Sequence, residues 1–149
     1  MAEHIVFLVL IALLIYATVT DLRERLIYDR VIIVGSLFAL IFCIWFQEGP
    51  WWEYLLTGLG AAFILATIAI LTGGRAIGGG DIKLFGMIGL MMGFEKFFYI
   101  FLFSHVIAAV FMIIIRLIQR RKIEMRSEFP FAPFILAGTL LTYGVQVFG

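Results

Sequence analysis

Two aspartates, Asp21 and Asp81, are the side chains of this sequence whose types and settings favour chemistry. Asp21 directly follows a long apolar run, and Asp81 stands between three glycines (78–80) and another apolar run. Two carboxylates held close together in a low-dielectric setting cannot both stay ionised, so they share one proton. The protonated member can donate to a carbonyl oxygen while the ionised member takes a proton from water. The pair therefore indicates aspartic-type hydrolysis of a peptide bond.

Each aspartate also has a purely structural interpretation. Asp21 can pair with Arg23 or Arg25 at a membrane surface, and Asp81 can cap the N-terminus of a helix. The three glycines can form a flexible connection, or can leave room for close approach of another chain. Ionisable residues at membrane depth are costly and tend to mark function, so we favour the functional interpretation.

Membrane-spanning helices must position these two residues. Of the 149 residues, 64% are hydrophobic and the mean hydropathy is +1.13, whereas soluble domains are about 45–50% apolar. The first apolar run lacks a basic leading region and a small-residue cleavage site, so we expect a retained helix and not a signal peptide. We expect one transmembrane domain over residues 1–149.

Five of the six apolar runs are long enough, or nearly long enough, to cross a bilayer. A crossing helix needs about 20 apolar residues, and the run 82–94 falls well short of that. It must extend into 78–81 or 94–97, or sit in a thinned bilayer, or form a re-entrant loop. The sequence therefore predicts an all-α integral membrane protein with a bundle of about six transmembrane helices. The runs are at about 5–20, 31–46, 54–72, 82–94, 97–115 and 131–148.

The basic residues agree with six spans and set the orientation. Ten of the eleven lie in connections on one side, and only Lys96 lies on the other. The positive-inside rule makes the basic side the cytoplasm, so both termini are predicted outside. Asp21 and Asp81 then share the cytoplasmic face. The ten residues are Arg23, Arg25, Arg30, Arg75, Lys83, Arg116, Arg120, Arg121, Lys122 and Arg126.

Small residues in two of the runs predict close helix packing, because helices in lipid associate where their backbones can approach. They are Gly58, Gly60, Ala61 and Ala62 in one run, and Gly86, Gly89 and Gly93 in another.

Three motifs resemble those of the type IV prepilin peptidases, in the same order along essentially the whole chain. Residues 21–23 (Asp-Leu-Arg) followed by 27–29 (Ile-Tyr-Asp) resemble the first aspartate motif of that family. Residues 78–84 (Gly-Gly-Gly-Asp-Ile-Lys-Leu) resemble its GxGD motif with a following lysine. Residues 130–134 (Pro-Phe-Ala-Pro-Phe) are similar to the start of its last helix.

The resemblance implies an integral membrane aspartic endopeptidase of the bacterial cytoplasmic membrane. Such enzymes remove a short leader from prepilins or pseudopilins at the cytoplasmic face, usually after a glycine, without a metal or another cofactor. The resemblance makes Asp21 and Asp81 the catalytic pair and assigns Gly78, Gly80 and Lys83 to substrate binding. The implied partners are the prepilin substrate and the lipid bilayer, with no nucleic acid.

Some positions depart from the family pattern. Tyr28 stands where proline is usual and Asp29 where asparagine is frequent, which introduces a third candidate carboxylate. Ala132 replaces a usual glycine. Many relatives also methylate the new N-terminus and carry paired CxxC zinc ligands, whereas Cys43 is the only cysteine here. The sequence therefore resembles the short, peptidase-only type found with Flp/Tad pilus systems.

Other membrane proteins fit the sequence less well. A zinc protease needs HExxH, and the two histidines, His4 and His105, do not form it; His105 is predicted to make an interhelical hydrogen bond. A rhomboid-like GxSG motif and the Pro-Ala-Leu element of presenilin-like proteases are absent. A small transporter or structural subunit with Asp21 and Asp81 on an ion path stays an alternative, although transporter sites are expected near the bilayer midplane.

Overall fold

A computed structural model describes residues 1–46, 49–119 and 129–149 of the chain. Within these ranges the regular secondary structure is entirely α-helical, which confirms the predicted fold class at that level. Each predicted apolar run corresponds to one helix or to one half of the longest helix. The five helices are α1 (Ala2–Glu24), α2 (Asp29–Phe46), α3 (Trp51–Leu71), α4 (Gly79–Gln119) and α5 (Ala132–Phe148).

Several of these helices have the length and composition of membrane spans. Ala2–Glu24, Trp51–Leu71 and Gly79–Ile118 are long and apolar enough to cross a membrane, and Ala132–Phe148 is a shorter apolar helix. Large apolar side chains are exposed on their outer faces, for example Phe63 at 74% and Ile70 at 80%. An exposed apolar surface of this extent suits lipid and not water. The chain is thus a multi-pass membrane protein.

The long helix α4 reverses direction at Gly93. Gly93 has φ 73° and ψ 178°, a conformation that other residues rarely adopt. The ring of Phe85 lies 5.1 Å from that of Phe101 between centroids, whereas a straight helix would separate these residues by about 24 Å. Residues 79–92 (α4a) and 94–119 (α4b) therefore pack antiparallel as a hairpin.

The short fourth run of the sequence corresponds to α4a, the shorter arm of the hairpin. Because α4a begins at Gly79, the run 82–94 is extended at its N-terminal end, as one of the predicted alternatives required. α4a is helical throughout and returns through the helix α4b; whether α4a crosses the bilayer or re-enters it stays a prediction.

Small residues bring α3 against α4a. A Cβ atom built on Gly89 would lie 2.8 Å from Cα of Gly58, and one built on Gly86 would lie 3.2 Å from Cβ of Ala62. The packing prediction is confirmed at these positions. It is wrong for Gly60, which faces open space, because that residue lies on another side of α3.

The core lies where α1, α4a and α5 meet. Its fully buried side chains include Leu10, Leu14, Leu84, Ile88 and Ile135. α4a is therefore central, and it carries Asp81 in its first turn. Part of the predicted basic side (Arg120, Arg121, Lys122 and Arg126) and residues 47–48 of a predicted outer connection lie outside the described residues.

Candidate active site

Asp21 lies in the last turn of α1 and contacts the beginning of α5. Its side chain is buried, with 8% of the residue exposed. Oδ2 accepts a hydrogen bond from the backbone N–H of Ala132 at 3.1 Å, and the backbone N–H of Phe131 also donates to the carboxylate. The first N–H groups of a helix have no partner within it and carry partial positive charge. Asp21 therefore caps α5 from another helix.

Two prolines help to begin α5 at this point. Pro130 precedes the helix and Pro133 lies in its first turn, where the missing N–H of proline costs no helical hydrogen bond. The chain thus presents the N–H groups of residues 131 and 132 towards α1. Motif 130–134 is part of the site, a role that its sequence alone did not indicate.

The structural interpretation of Asp21 as a surface ion-pair partner is wrong. Arg23 and Arg25 are exposed, and neither makes an ion pair with Asp21. α1 ends at Glu24, and Arg25 adopts a left-handed conformation with φ 53°.

Asp81 lies in the first turn of α4a and is half-buried. It lines a cavity of about 50 Å³, here called the Asp81 cavity. Within the described ranges its carboxyl group has no hydrogen-bond donor, and its electrostatic interaction is with Asp21. Since α4 begins at Gly79, its capping position is Gly78, and Asp81 lies three residues past the position that the structural interpretation gave it. The other lining residues are Leu65, Ala76, Ile77, Phe85, His105 and Phe131.

The predicted substrate-binding residues surround the first turn of α4a. The carbonyl of Gly78 accepts the N–H of Ile82 at 3.2 Å, and a Cβ on Gly78 would lie 3.5 Å from Oδ2 of Asp81. A Cβ on Gly80 would lie 3.2 Å from Cβ of Ile27. Gly80 thus makes room for the α1–α2 connection, and Gly78 keeps space beside the carboxylate. Their contact with substrate stays a prediction.

Lys83 and Asp29 pair with each other. Nζ of Lys83 donates to Oδ1 of Asp29 at 2.7 Å, and both side chains are more than half exposed. The third candidate carboxylate is therefore bound to the predicted substrate lysine. Beside it, the Tyr28 hydroxyl donates to the Glu24 carboxylate, which raises the pKa of Tyr28. These two contacts hold the α1–α2 connection.

His105 is a residue of the site that the sequence did not place there. Its Nδ1 bonds to the carbonyl of Phe101 in the same helix at 2.8 Å, so the predicted interhelical hydrogen bond is wrong. Its ring lies 5.8 Å from that of Phe85 and 5.1 Å from that of Phe131 between centroids. The available signal was its spacing: Asp81 precedes Gly93 by twelve residues, and His105 follows Gly93 by twelve.

The geometry brings two carboxylates together in unlike surroundings. Asp21 is buried, which disfavours its ionised form, but it also accepts backbone N–H groups at a helix terminus, which oppose that effect. Asp81 lies among mainly apolar side chains, which favours the neutral form. One base and one acid are the requirements of hydrolysis by a water molecule.

Comparison with known proteins identifies the family of the chain. A family model described as the type IV leader peptidase family matches residues 8–113, a range that includes both aspartates. The chain is also 37% identical over 135 residues to the prepilin leader peptidase/N-methyltransferase of Bacillus subtilis (strain 168). That alignment covers 91% of this chain and 53% of the relative, so the chain spans about half the relative's length. No solved structure gives a significant match to the chain. By the family match and this identity, the chain belongs to the type IV leader peptidase family.

Proposed function

We propose that the protein is a membrane aspartic endopeptidase that cleaves the leader from type IV prepilin-like or pseudopilin precursors. The observation that carries the proposal is the juxtaposition of Asp21 and Asp81 where α1, α4a and α5 meet. The curated relative is named a prepilin leader peptidase, which supports this substrate class. The partners are then the precursor and the bilayer, and no metal or cofactor enters the chemistry.

The site is proposed to face the cytoplasm from the bacterial inner membrane. The α4 hairpin supplies two crossings, so α1, α2, α3, α4a, α4b and α5 make six, with both termini outside. Lys96, just after the hairpin tip, pairs with Glu3 at the start of α1. This contact joins the hairpin tip and the start of α1 at one end of the bundle, which is the proposed outer end, with Asp21 and Asp81 at the other.

The unlike surroundings of the two aspartates suggest their roles. The Asp21 carboxylate takes a proton from the attacking water, whose oxygen bonds to the scissile carbonyl carbon, while protonated Asp81 donates to the carbonyl oxygen. Asp21 then passes its proton to the leaving nitrogen as the C–N bond breaks. Asp81 recovers its proton from a hydroxyl of the tetrahedral intermediate, so the enzyme is regenerated.

Peptide cleavage without N-methylation is proposed for this chain. The sequence has one cysteine, so it holds no paired CxxC zinc ligands of the kind expected beside the methylating activity. The alternative of an ion path lined by Asp21 and Asp81 is not favoured, because the family comparison supports leader cleavage.

The test replaces each aspartate by asparagine and by alanine and measures leader cleavage of a prepilin by mass spectrometry. We expect all four variants to lose at least about 100-fold in rate, the usual contribution of general acid–base catalysis. Insertion is checked from the amount of protein in the membrane fraction. Normal cleavage by either alanine variant would show that the corresponding aspartate is not catalytic.

A further inference from the structure

His105 lines the Asp81 cavity, and packing alone does not explain a histidine at this position. His105 lies in a cluster of phenylalanine rings, with its centroid 4.1 Å from that of Phe101, 5.8 Å from Phe85 and 5.1 Å from Phe131. A phenylalanine would fill a similar space without burying polar nitrogens, which costs free energy unless they are hydrogen-bonded. A histidine in this place therefore suggests a use for its polar atoms.

One of its two ring nitrogens is already engaged. Nδ1 lies 2.8 Å from the carbonyl oxygen of Phe101. A carbonyl only accepts, so Nδ1 carries the hydrogen of this bond. In the neutral ring, Nε2 is then a hydrogen-bond acceptor. Within residues 1–46, 49–119 and 129–149, no protein group is hydrogen-bonded to Nε2.

The cavity beside this ring is suited to water. Its volume is about 50 Å³, and roughly 10–15 Å³ is enough for one water molecule that has two or more polar partners. Asp81 and His105 contribute its two polar side chains. The rest of the lining is apolar: Leu65, Ala76, Ile77, Phe85 and Phe131.

We propose that His105 is a positioning residue of the active site, and that its Nε2 and the Asp81 carboxyl group bind one water molecule between them. The water donates one hydrogen to Nε2 and the other to the carbonyl oxygen of protonated Asp81. This arrangement leaves the acidic O–H of Asp81 directed at the substrate. The inference rests on the proposed function and adds a residue to it.

The surroundings leave few competing partners. The Asp21 carboxylate is the other charged group that interacts with Asp81, and it is bound by the N-terminus of α5. Lys83 is turned to Asp29. Among the described residues, no lysine or arginine lines the cavity.

The first test compares four variants by steady-state cleavage. His105→Phe keeps a ring but no nitrogen, His105→Gln places a polar atom near the position of Nε2, and His105→Asn places one near Nδ1 only. His4→Phe is the matched control, because His4 lies at the far end of α1 and contacts Tyr143. We expect kcat to fall about tenfold in His105→Phe and His105→Asn, the scale of one hydrogen bond. KM should stay within about twofold, and His105→Gln should recover part of kcat.

Thermal unfolding in detergent accompanies each variant, so that a folding defect is recognised. If His105→Phe unfolds, the comparison of His105→Gln with His105→Asn decides. Equal kcat in those two variants, or a His105→Phe enzyme with wild-type kcat, overturns the inference. If the aspartate variants are inactive, only the inference about His105 fails. If the aspartate variants are active, the proposed function itself is refuted.

The second test does not depend on catalysis. His4→Phe leaves His105 as the only histidine, since the chain has two, so ¹⁵N-histidine labelling reports on this ring alone. At alkaline pH we expect the ¹⁵N chemical shifts of His105 to show a hydrogen on Nδ1. The chemical shift of Nε2 should change when Asp81 is replaced by asparagine. A matched Asp29→Asn variant should leave it unchanged. An Nε2 resonance that is insensitive to Asp81→Asn would show that the two groups share no water.

Discussion

At the scale of single residues, the two carboxylates differ in what their removal leaves behind. Asp21 accepts N–H groups from the buried start of α5, and Ala132 is itself fully buried. Asp81 accepts no described donor and borders a cavity. Replacing Asp21 should therefore lower both activity and stability, whereas replacing Asp81 should lower activity with little change in stability.

We expect Asp21→Ala to lower the free energy of unfolding by about 1–3 kcal/mol, because it leaves a buried N–H unpaired. Asp21→Asn keeps an acceptor oxygen and should recover most of this stability without recovering cleavage. Asp81→Ala orphans no donor and should change stability by less than about 1 kcal/mol. Chemical unfolding in detergent measures all three. Equal destabilisation by Asp21→Ala and Asp81→Ala would contradict the capping role of Asp21.

Asp29 is the second residue to test at this scale. Its partner Lys83 and the carboxylate are both mostly exposed, and such pairs contribute about 0–1 kcal/mol. Asp29→Asn should thus keep much of the cleavage activity and unfold almost as the wild type does. A loss of cleavage as large as that of Asp21→Asn would mean that Asp29 is the catalytic carboxylate of the first motif.

The sequence predicted the aspartate pair but not what surrounds it. The number of apolar runs and the basic residues between them were enough to place both aspartates at one end of the bundle. The hydrogen bond from Ala132 to Asp21 joins residues 111 positions apart. No local pattern encodes such a contact, because it depends on how α1 and α5 pack.

At the scale of elements, the turn at Gly93 is the feature on which the site depends. Its φ of 73° is strained for other residues, and a Cβ there would lie 2.9 Å from Cε1 of Tyr54. The predicted connection at 94–97 was close to this point, but periodicity could not show that the helix reverses within one residue. The reversal depends on the backbone conformation of Gly93 and on the packing of the Phe85 ring of α4a against the Phe101 ring of α4b.

We expect Gly93→Ala to lower the free energy of unfolding by about 1–3 kcal/mol, the cost of a strained backbone. It should also slow cleavage, because it disturbs the alignment of Asp81 with α4b. Gly60→Ala is the matched control, as nothing lies within 4 Å of a Cβ at Gly60 in α3. It should be neutral or stabilising by up to about 1 kcal/mol. Equal loss in the two variants would contradict the special role of Gly93.

At the scale of the whole molecule, the proposed orientation is the property to establish. The proposed six-span count rests on the hairpin, and the proposed direction rests on charges that lie partly outside the described residues. The orientation therefore remains a prediction that rests on the positive-inside rule.

Cysteine labelling tests it directly. In a Cys43→Ser background the chain has no cysteine, and single cysteines can replace exposed Trp51 or Arg75 on either side of α3. In intact cells or spheroplasts, an impermeant maleimide should label Trp51→Cys, and should label Arg75→Cys only after the membrane is opened. The reverse pattern would invert the proposed topology and place both aspartates outside.

The α4 hairpin also limits how the chain can change in length. Because Asp81 and His105 lie twelve residues on either side of Gly93, they are level only while both arms keep matching lengths. One inserted residue in either arm would turn everything beyond it by about 100° and move it by about 1.5 Å. It would carry one of the two side chains away from the cavity. A second insertion in the other arm would match the lengths again but would also turn the second side chain, so we expect insertions between Asp81 and His105 to disrupt the site.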